Sequence, residues 1–248
     1  MKRILAVLTA LALVAAPVCA GEEPVPLIQM AEEPRTELRL SGVRIGIDPG
    51  HQAHGNSQRE TVAPNSRETK AKVSSGTEGA ATGIAEYVTN LEISLELRDR
   101  LEALGAEVFM TRESHDVDIS NQERARMMNE LGVDLVLRIH CDGADNRKQN
   151  GVAVYCSRSN AIAAESRRAA EALLPAICAA TGAKQNGVVQ NDDYTGQNWS
   201  EVPCVMVECG FLSNPDEDRK LNDPDYQRQL AEGMAEGICD FMGRAEAE

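Results

Sequence analysis

The sequence predicts an α/β fold: a single domain with a mostly parallel central sheet and helices on both faces. Short apolar runs of strand length alternate along the chain with longer segments in which apolar residues recur every three or four positions. This alternation favours parallel strands that are joined by crossover helices and covered on both sides. The length of 248 residues suits one domain of ordinary size.

The first residues of the chain have the pattern of a secretory signal. Lys2 and Arg3 precede an uncharged, mostly apolar run, and Pro17 is followed by small residues at the positions required for a cut after Ala20. We therefore predict a signal peptide over residues 1–20 and an extracytoplasmic protein, secreted or associated with the cell wall. The alternative is an uncleaved anchor or a buried N-terminal helix, although the run is too short for a permanent membrane span.

The remaining elements are predicted in chain order. Residues 21–40 carry Glu and Pro without periodicity and are interpreted as a linker or lead-in, and the domain itself occupies residues 41–244. Ser120 and Glu123 form a capping box at the start of one helix. Strands are predicted at 43–48, 107–111, 135–139, 152–156 and 204–207, and helices at 88–104, 120–132, 161–181 and 226–242.

Residues 52–85 are the least regular part of the predicted domain. They are rich in Gly, Ser, Thr, Asn and charged residues and have hardly any apolar spacing. A loop of this length is uncommon in a compact domain and is commonly functional. We predict a long loop near the active site, where it either walls or covers a cleft, or else forms a surface insertion.

Charge and hydropathy exclude several classes of partner. The formal net charge is −14, so the chain lacks the excess of basic residues that nucleic-acid binding requires. It also argues against a polybasic membrane anchor. No apolar run reaches the length of a membrane span, so we predict no transmembrane segment in the mature chain, and we expect a monomer.

The cysteines allow two interpretations. Of the seven in the chain, Cys19 would leave with the signal peptide, and six cysteines in an exported protein can form three disulfides. However, four of them lie in or beside apolar strands, where free thiols behave as small hydrophobic groups. These four are Cys141, Cys156, Cys204 and Cys209.

Three polar residues that can bind a metal follow the ends of predicted strands. They are His51, His140 and Glu208, and Glu86 stands at the mouth of the first helix. In an open α/β sheet, ligand sites gather at the carboxyl ends of the strands, so these side chains can converge. Two His and one carboxylate with an open fourth position make a catalytic zinc set, and a second carboxylate can serve as general base. The alternative for each His is a hydrogen-bonded structural residue.

Five ordered blocks make the chain resemble a known family. They are IGIDPGH (45–51), GIAEYVTNL (83–91), MTR (110–112), RIHCDG (138–143) and VECGFLSNP (207–215). With these motifs the chain resembles the zinc-dependent N-acetylmuramoyl-L-alanine amidases of the amidase-3 family, which are hydrolases that cut peptidoglycan. The resemblance covers nearly the whole mature chain.

The resemblance implies a site and a reaction. It implies one Zn²⁺ per chain, bound by His51, Glu86 and His140, with Glu208 as the catalytic general base and acid. It implies peptidoglycan as the substrate and hydrolysis of the bond between N-acetylmuramic acid and L-alanine of the stem peptide. Alternatives are a zinc peptidase or deacetylase acting on another wall amide, or a catalytically silent wall-binding protein.

Several other polar residues have two interpretations each. Arg112, Asn198 and Trp199 are candidate substrate contacts. Arg112 can instead form a structural ion pair, and Trp199 can pin its loop rather than stack on substrate. His54 is interpreted as a surface-loop residue and His115 as a solvent-exposed one.

Overall fold

The structure is a computed structural model, which describes residues 38–244. In chain order its elements are β1 (Arg44–Pro49), β2 (Asn56–Thr61), β3 (Thr69–Val73), α1 (Glu86–Ala103), β4 (Glu107–Met110), α2 (Asn121–Leu131), β5 (Leu135–Asp142), β6 (Val152–Ser157), α3 (Ala163–Thr181), β7 (Gln185–Asn191), α4 (Thr195–Asn198), β8 (Cys204–Phe211), α5 (Pro215–Leu221) and α6 (Pro224–Phe241). The predicted signal peptide and most of the predicted lead-in lie outside the described residues.

Six strands form one sheet in the order β4-β1-β5-β8-β6-β7. Neighbouring strands run parallel except for β6 and β8, which are antiparallel. The predicted fold class is therefore confirmed. Strand β7 was not predicted from the sequence, because its residues are mostly polar and only half-buried or exposed.

Helices pack on both faces of the sheet, and side-chain alternation separates the two faces. In β5, Leu135, Leu137 and Ile139 are fully buried in the main core with residues of α1, α3 and α6. Val136 faces the other side, where it packs in a smaller cluster with Met128 of α2. Because alternate strand residues share a face, the later even-numbered positions of β5 lie on this second side, which carries the site.

The packed domain begins slightly earlier than the sequence predicts. Leu40, which the sequence analysis places at the end of the lead-in, is fully buried in the main core. Its backbone N–H donates to the carbonyl of Leu104 at 2.8 Å. Among the described helices, none is long and apolar enough to cross a bilayer.

Residues 52–85 are not the continuous loop that the sequence predicts. Strands β2 and β3 pair there as an antiparallel hairpin, outside the main sheet. The hairpin gives no apolar alternation in the sequence because only Glu60 and Val73 of its strands are buried. It is held by outside contacts instead, including Trp199 Nε1, which donates to the carbonyl of Thr61 at 2.9 Å.

The cysteines within the described residues are all free thiols. Cys141 and Cys209 lie in the main core, on the face of the sheet opposite His140 and Glu208, as strand alternation predicts. Burial raises the pKa of Cys141 well above its ordinary value. A cysteine nucleophile in this position is therefore disfavoured by both geometry and charge.

Candidate active site

His51, Glu86 and His140 come together at the carboxyl ends of β1 and β5 and the first turn of α1. One potential ligand atom from each residue lies within 4.8 Å of the other two. The carboxylate oxygen Oε1 of Glu86 is 3.1 Å from Nε2 of His51 and 3.2 Å from Nδ1 of His140. The fold thus brings together the three residues that the sequence singled out as candidate metal ligands.

Gly50 makes this approach possible. A Cβ atom at Gly50 would lie 2.3 Å from Cε1 of His140, closer than real carbon atoms approach. The next residue, His51, has a φ of 60°, a left-handed conformation that is uncommon outside glycine. The turn after β1 is therefore a constrained segment that presents His51 directly against the His140 ring.

Ser74, which follows β3, orients the His51 ring. Nδ1 of His51 lies 2.9 Å from the carbonyl oxygen of Ser74 and 3.1 Å from its hydroxyl. A carbonyl can only accept, so the ring donates from Nδ1 and leaves Nε2 with a free lone pair toward Glu86. Sequence reasoning missed Ser74 because it lies in a polar stretch with no periodic signal.

The Glu86 carboxylate is fixed from three sides. Oε1 accepts hydrogen bonds from Asn90 Nδ2 at 3.1 Å and from the backbone N–H of Cys141 at 3.2 Å. Oε2 accepts from the backbone N–H of Thr77 at 3.0 Å. Asn90 lies one helical turn after Glu86, so α1 supplies both the carboxylate and a donor that holds it.

The charge states of these residues suit a metal site. Burial would raise the pKa of Glu86, but its close polar contacts with His140 and His51 outweigh burial and hold that pKa well below its ordinary value. Burial lowers the pKa of His140 to about 4. An ionised carboxylate and a neutral imidazole are the forms that bind a metal ion.

Glu208 stands beside the cluster. It is the cross-strand partner of His140 in the β5–β8 register and is buried. Burial raises the pKa of Glu208 well above its ordinary value, and the nearby negative charges of Glu86 and Asp142 raise it further. A carboxyl group with a raised pKa close to a metal-competent cluster is suited to accepting and returning a proton.

The donor set fits a zinc ion. Zn–N and Zn–O bonds of about 2.0–2.2 Å place tetrahedral ligand atoms roughly 3.4 Å apart, close to the separations of Glu86 Oε1 from the two imidazoles. Oε2 of Glu208 is buried beside this set and has no hydrogen-bond partner within the described part of the chain. Since buried polar atoms are normally satisfied, this oxygen points to a bound group at this position.

The cluster lies in a cleft of about 730 Å³. This volume is within the usual range for ligand sites. Lys70 and Val73 of the hairpin form one wall, and Asp142 at the end of β5 and Asp145 on the following loop also line the cleft. The predicted long segment therefore does wall the cleft, although as a hairpin rather than as a loop.

Arg112 does not contact this cleft. It is buried, and its guanidinium donates to the carbonyls of Pro49, Gly50 and Tyr87 at 2.8–3.0 Å. It forms neither the expected ion pair nor a surface for substrate within the described residues. Its contacts instead hold the turn that carries His51.

Asn198 and Trp199 also bind backbone rather than line the cleft. Nδ2 of Asn198 donates to the carbonyls of Val62 and Asp192 at 3.1 and 2.8 Å. The guanidinium of Arg126 lies 4.9 Å from the centroid of the Trp199 ring. Together with the hydrogen bond from Trp199 to β2, these contacts favour the interpretation that Trp199 holds its loop in place.

The two remaining histidines differ from one another. His54 is exposed, as expected. His115 is half-buried and packs edge-on against Tyr87 with ring centroids 5.3 Å apart, so the expectation of a solvent-exposed His115 is wrong. Its sequence neighbours are polar, so its tertiary contact with Tyr87 of α1 leaves no signal in the sequence.

Two imidazoles, a carboxylate and a neighbouring buried carboxyl group, all at the carboxyl edge of an α/β sheet, form an arrangement that is typical of metal-dependent hydrolases. The profile of the Amidase_3 family, described as N-acetylmuramoyl-L-alanine amidase, matches residues 45–240. The chain belongs to this amidase family.

Relatives and solved structures agree with this membership. The chain is 30% identical over 200 residues to the N-acetylmuramoyl-L-alanine amidase LytC of Bacillus subtilis, covering 81% of this chain and 36% of LytC. It is 26% identical over 226 residues to the amidase Rv3717 of Mycobacterium tuberculosis, covering 88% and 92%. The crystal structure of the amidase Ami1 from Mycobacterium smegmatis matches with a TM-score of 0.76 and 27% identity, covering 82% and 98%.

Proposed function

We propose that this protein is a zinc-dependent peptidoglycan amidase that hydrolyses the bond between N-acetylmuramic acid and L-alanine of the stem peptide. The observation that carries the proposal is the convergence of His51, Glu86 and His140 beside the buried carboxyl group of Glu208. Membership of the amidase family supports the choice of bond. Zinc is favoured because two imidazoles and one carboxylate match its preferred ligands.

His51, Glu86 and His140 would hold the ion. When bound, it supplies Lewis-acid chemistry, lowering the pKa of a water molecule and polarising a carbonyl group. Glu208 receives the proton of the attacking water at a carboxylate oxygen and returns it to the nitrogen of L-alanine as the C–N bond breaks. The products are a free lactyl carboxylate and a stem peptide with a free amino terminus.

The place of action follows from the substrate. Peptidoglycan lies outside the cytoplasmic membrane, and the predicted signal peptide over residues 1–20 would deliver the chain there. A Staphylococcus aureus relative, 27% identical over 209 residues and covered over 62% of its length, is named a probable cell wall amidase. We propose that the protein acts as a monomer on the wall, outside the cytoplasm.

The proposed function predicts the behaviour of a Glu208→Gln variant. Release of L-alanine amino groups from purified peptidoglycan should require zinc, stop after chelation and resume when zinc is restored. In the variant, release should fall by about 10²–10⁴-fold, because the proton acceptor is lost, while zinc still binds. Glu165→Gln removes an exposed carboxylate on α3 and serves as the matched control.

Each other outcome has a definite meaning. Amine release that survives both chelation and the Glu208 substitution contradicts the assignment of the site. Release of acetate, or of fragments cut within the stem peptide, would assign the protein to another wall amide. Zinc binding without any release from peptidoglycan would indicate a wall-binding protein.

A further inference from the structure

A buried group of three charged residues lies behind the candidate metal ligands and has no part in the mechanism above. Asp48 accepts from Nη1 of Arg124 at 2.7 Å through Oδ1, and from Nε of Arg138 at 2.8 Å through Oδ2. The side chains of Arg124, Asp48 and Arg138 are 1%, 2% and 6% exposed. We call these residues the Arg–Asp–Arg triad.

Stability alone is a poor reason for such a triad. Removing three charges from water costs free energy, and the attraction between the charges often does not offset this cost. Proteins in which apolar residues of similar volume replace such a group are commonly as stable as the parent. The triad is nevertheless charged. Burial would raise the pKa of Asp48, but Arg124 and Arg138 outweigh burial and hold that pKa well below its ordinary value.

Arg124 connects the triad to His51. Its Nη2 donates to the backbone carbonyl of His51 at 3.0 Å, and its Nη1 also donates to the carbonyl of Pro49 at 2.9 Å. His51 has the left-handed φ of 60° noted above, a conformation that persists only when its surroundings impose it. Arg124 is thus one of the groups that impose it.

Arg138 connects the triad to His140. It is the cross-strand neighbour of Asp48 in the β1–β5 register, and it precedes His140 by two residues on the same face of β5. Its Nη2 donates to Oδ1 of Asn121 at 2.8 Å, which fixes the guanidinium at the floor of the cleft. One carboxylate therefore ties the strand of His140 to the turn of His51.

We propose that the Arg–Asp–Arg triad is a positioning device that fixes the placement of His51 relative to His140 and thereby sets the affinity of the site for zinc. The inference rests on the proposed function, because it takes these two histidines as ligands. Arg124 acts through the backbone of His51, and Arg138 acts through the strand that carries His140. Substitution of residues that hold metal ligands in place commonly lowers metal affinity by about 10–100-fold.

The test is Arg138→Met, which cuts the connection to the His140 strand. Asp48 keeps Arg124 and the Thr111 hydroxyl, which donates to it at 2.6 Å, so the carboxylate remains partnered. Competition with a chelator on the folded apoprotein should show zinc binding about 10–100-fold weaker than in the parent. Arg138→Lys keeps the charge without the planar fork and should bind with intermediate affinity.

Ile177→Ala is the control for a purely structural effect. It opens a cavity at a fully buried position of α3, away from the triad. It should lower the melting temperature of the apoprotein and leave the zinc affinity of the folded protein unchanged. If triad variants behave like this control, with parental affinity and a lower melting temperature, the positioning role is refuted.

Two further outcomes remain distinguishable. If Arg138→Met does not fold, Arg138→Lys decides the question, and parental zinc affinity in that variant refutes the role. A parent protein that binds no zinc contradicts the proposed function itself. Parental binding combined with weakened binding in the folded variants supports both.

Discussion

At the scale of single residues, the site depends on positions whose roles are visible only in three dimensions. The sequence predicted the convergence of His51, His140 and Glu208 because strand ends in an α/β sheet share an edge, and the family resemblance implied Glu86 as the third ligand. It did not predict Ser74 or the Arg–Asp–Arg triad, because these partners are far apart in the chain. Hydrogen-bond partners that lie far apart in sequence leave no local pattern in composition or spacing.

Asp48 gives the stability of the protein a specific dependence on pH. Its pKa in the folded state lies well below the ordinary value of 3.8. The resulting stabilisation, on the order of 2–3 kcal/mol for a salt-bridged Asp, is complete above about pH 4 and is lost as the pH falls toward the folded-state pKa. Asp48→Asn should therefore be less stable at neutral pH and should lose less stability on acidification.

Urea unfolding from pH 6 to about pH 2 measures this difference. The free energy of unfolding of the parent should fall more steeply below about pH 4 than that of Asp48→Asn. Asp240→Asn, at an exposed position of α6, should follow the parental curve. Parallel acid slopes for the parent and Asp48→Asn would contradict the assignment of a depressed pKa.

At the scale of elements, the buried strands could be predicted from the sequence and the exposed strands could not. Strands β1, β5 and β8 are almost entirely buried, and their apolar residues reveal them in the sequence. The hairpin β2–β3 and the edge strand β7 are polar, since each is largely exposed or only half-buried. β2 and β3 pair with each other and β7 pairs with β6, and the polar residues of these strands show no apolar alternation that would predict the pairing.

The attachment of the hairpin gives an element-scale prediction for Trp199→Phe. The substitution keeps an aromatic ring and removes the N–H that donates to Thr61. Loss of one such hydrogen bond, about 1 kcal/mol, should speed amide exchange in residues 56–73 roughly fivefold. Hydrogen exchange with mass spectrometry measures this, with β5 as the internal reference. Unchanged exchange in the hairpin would show that other contacts suffice to hold it.

At the scale of the whole molecule, the candidate ligands join separate parts of the fold. They come from the turn after β1, the start of α1 and the end of β5, which meet only in the folded chain. A ligand that binds the native state alone stabilises it by about 2.7 kcal/mol at a concentration 100 times its Kd. For a domain of this size, zinc should raise the melting temperature by roughly 5–10 °C.

Calorimetry with and without zinc tests this prediction. The shift should vanish in His140→Ala and persist in His54→Ala, which removes an exposed imidazole outside the cluster. A shift that survives loss of His140 would locate the stabilising ion elsewhere on the protein. The comparison therefore reports on the placement of the ion independently of catalysis.

The buried free thiols have a consequence for the reactivity of the folded domain. Burial raises the pKa of the Cys156, Cys204 and Cys239 thiols, to about 12 for Cys204, and so suppresses the reactive thiolate. Aliphatic packing holds the described part of the fold, and its buried thiols take part as small apolar groups. We therefore expect an alkylating reagent to modify these three thiols only when the domain opens.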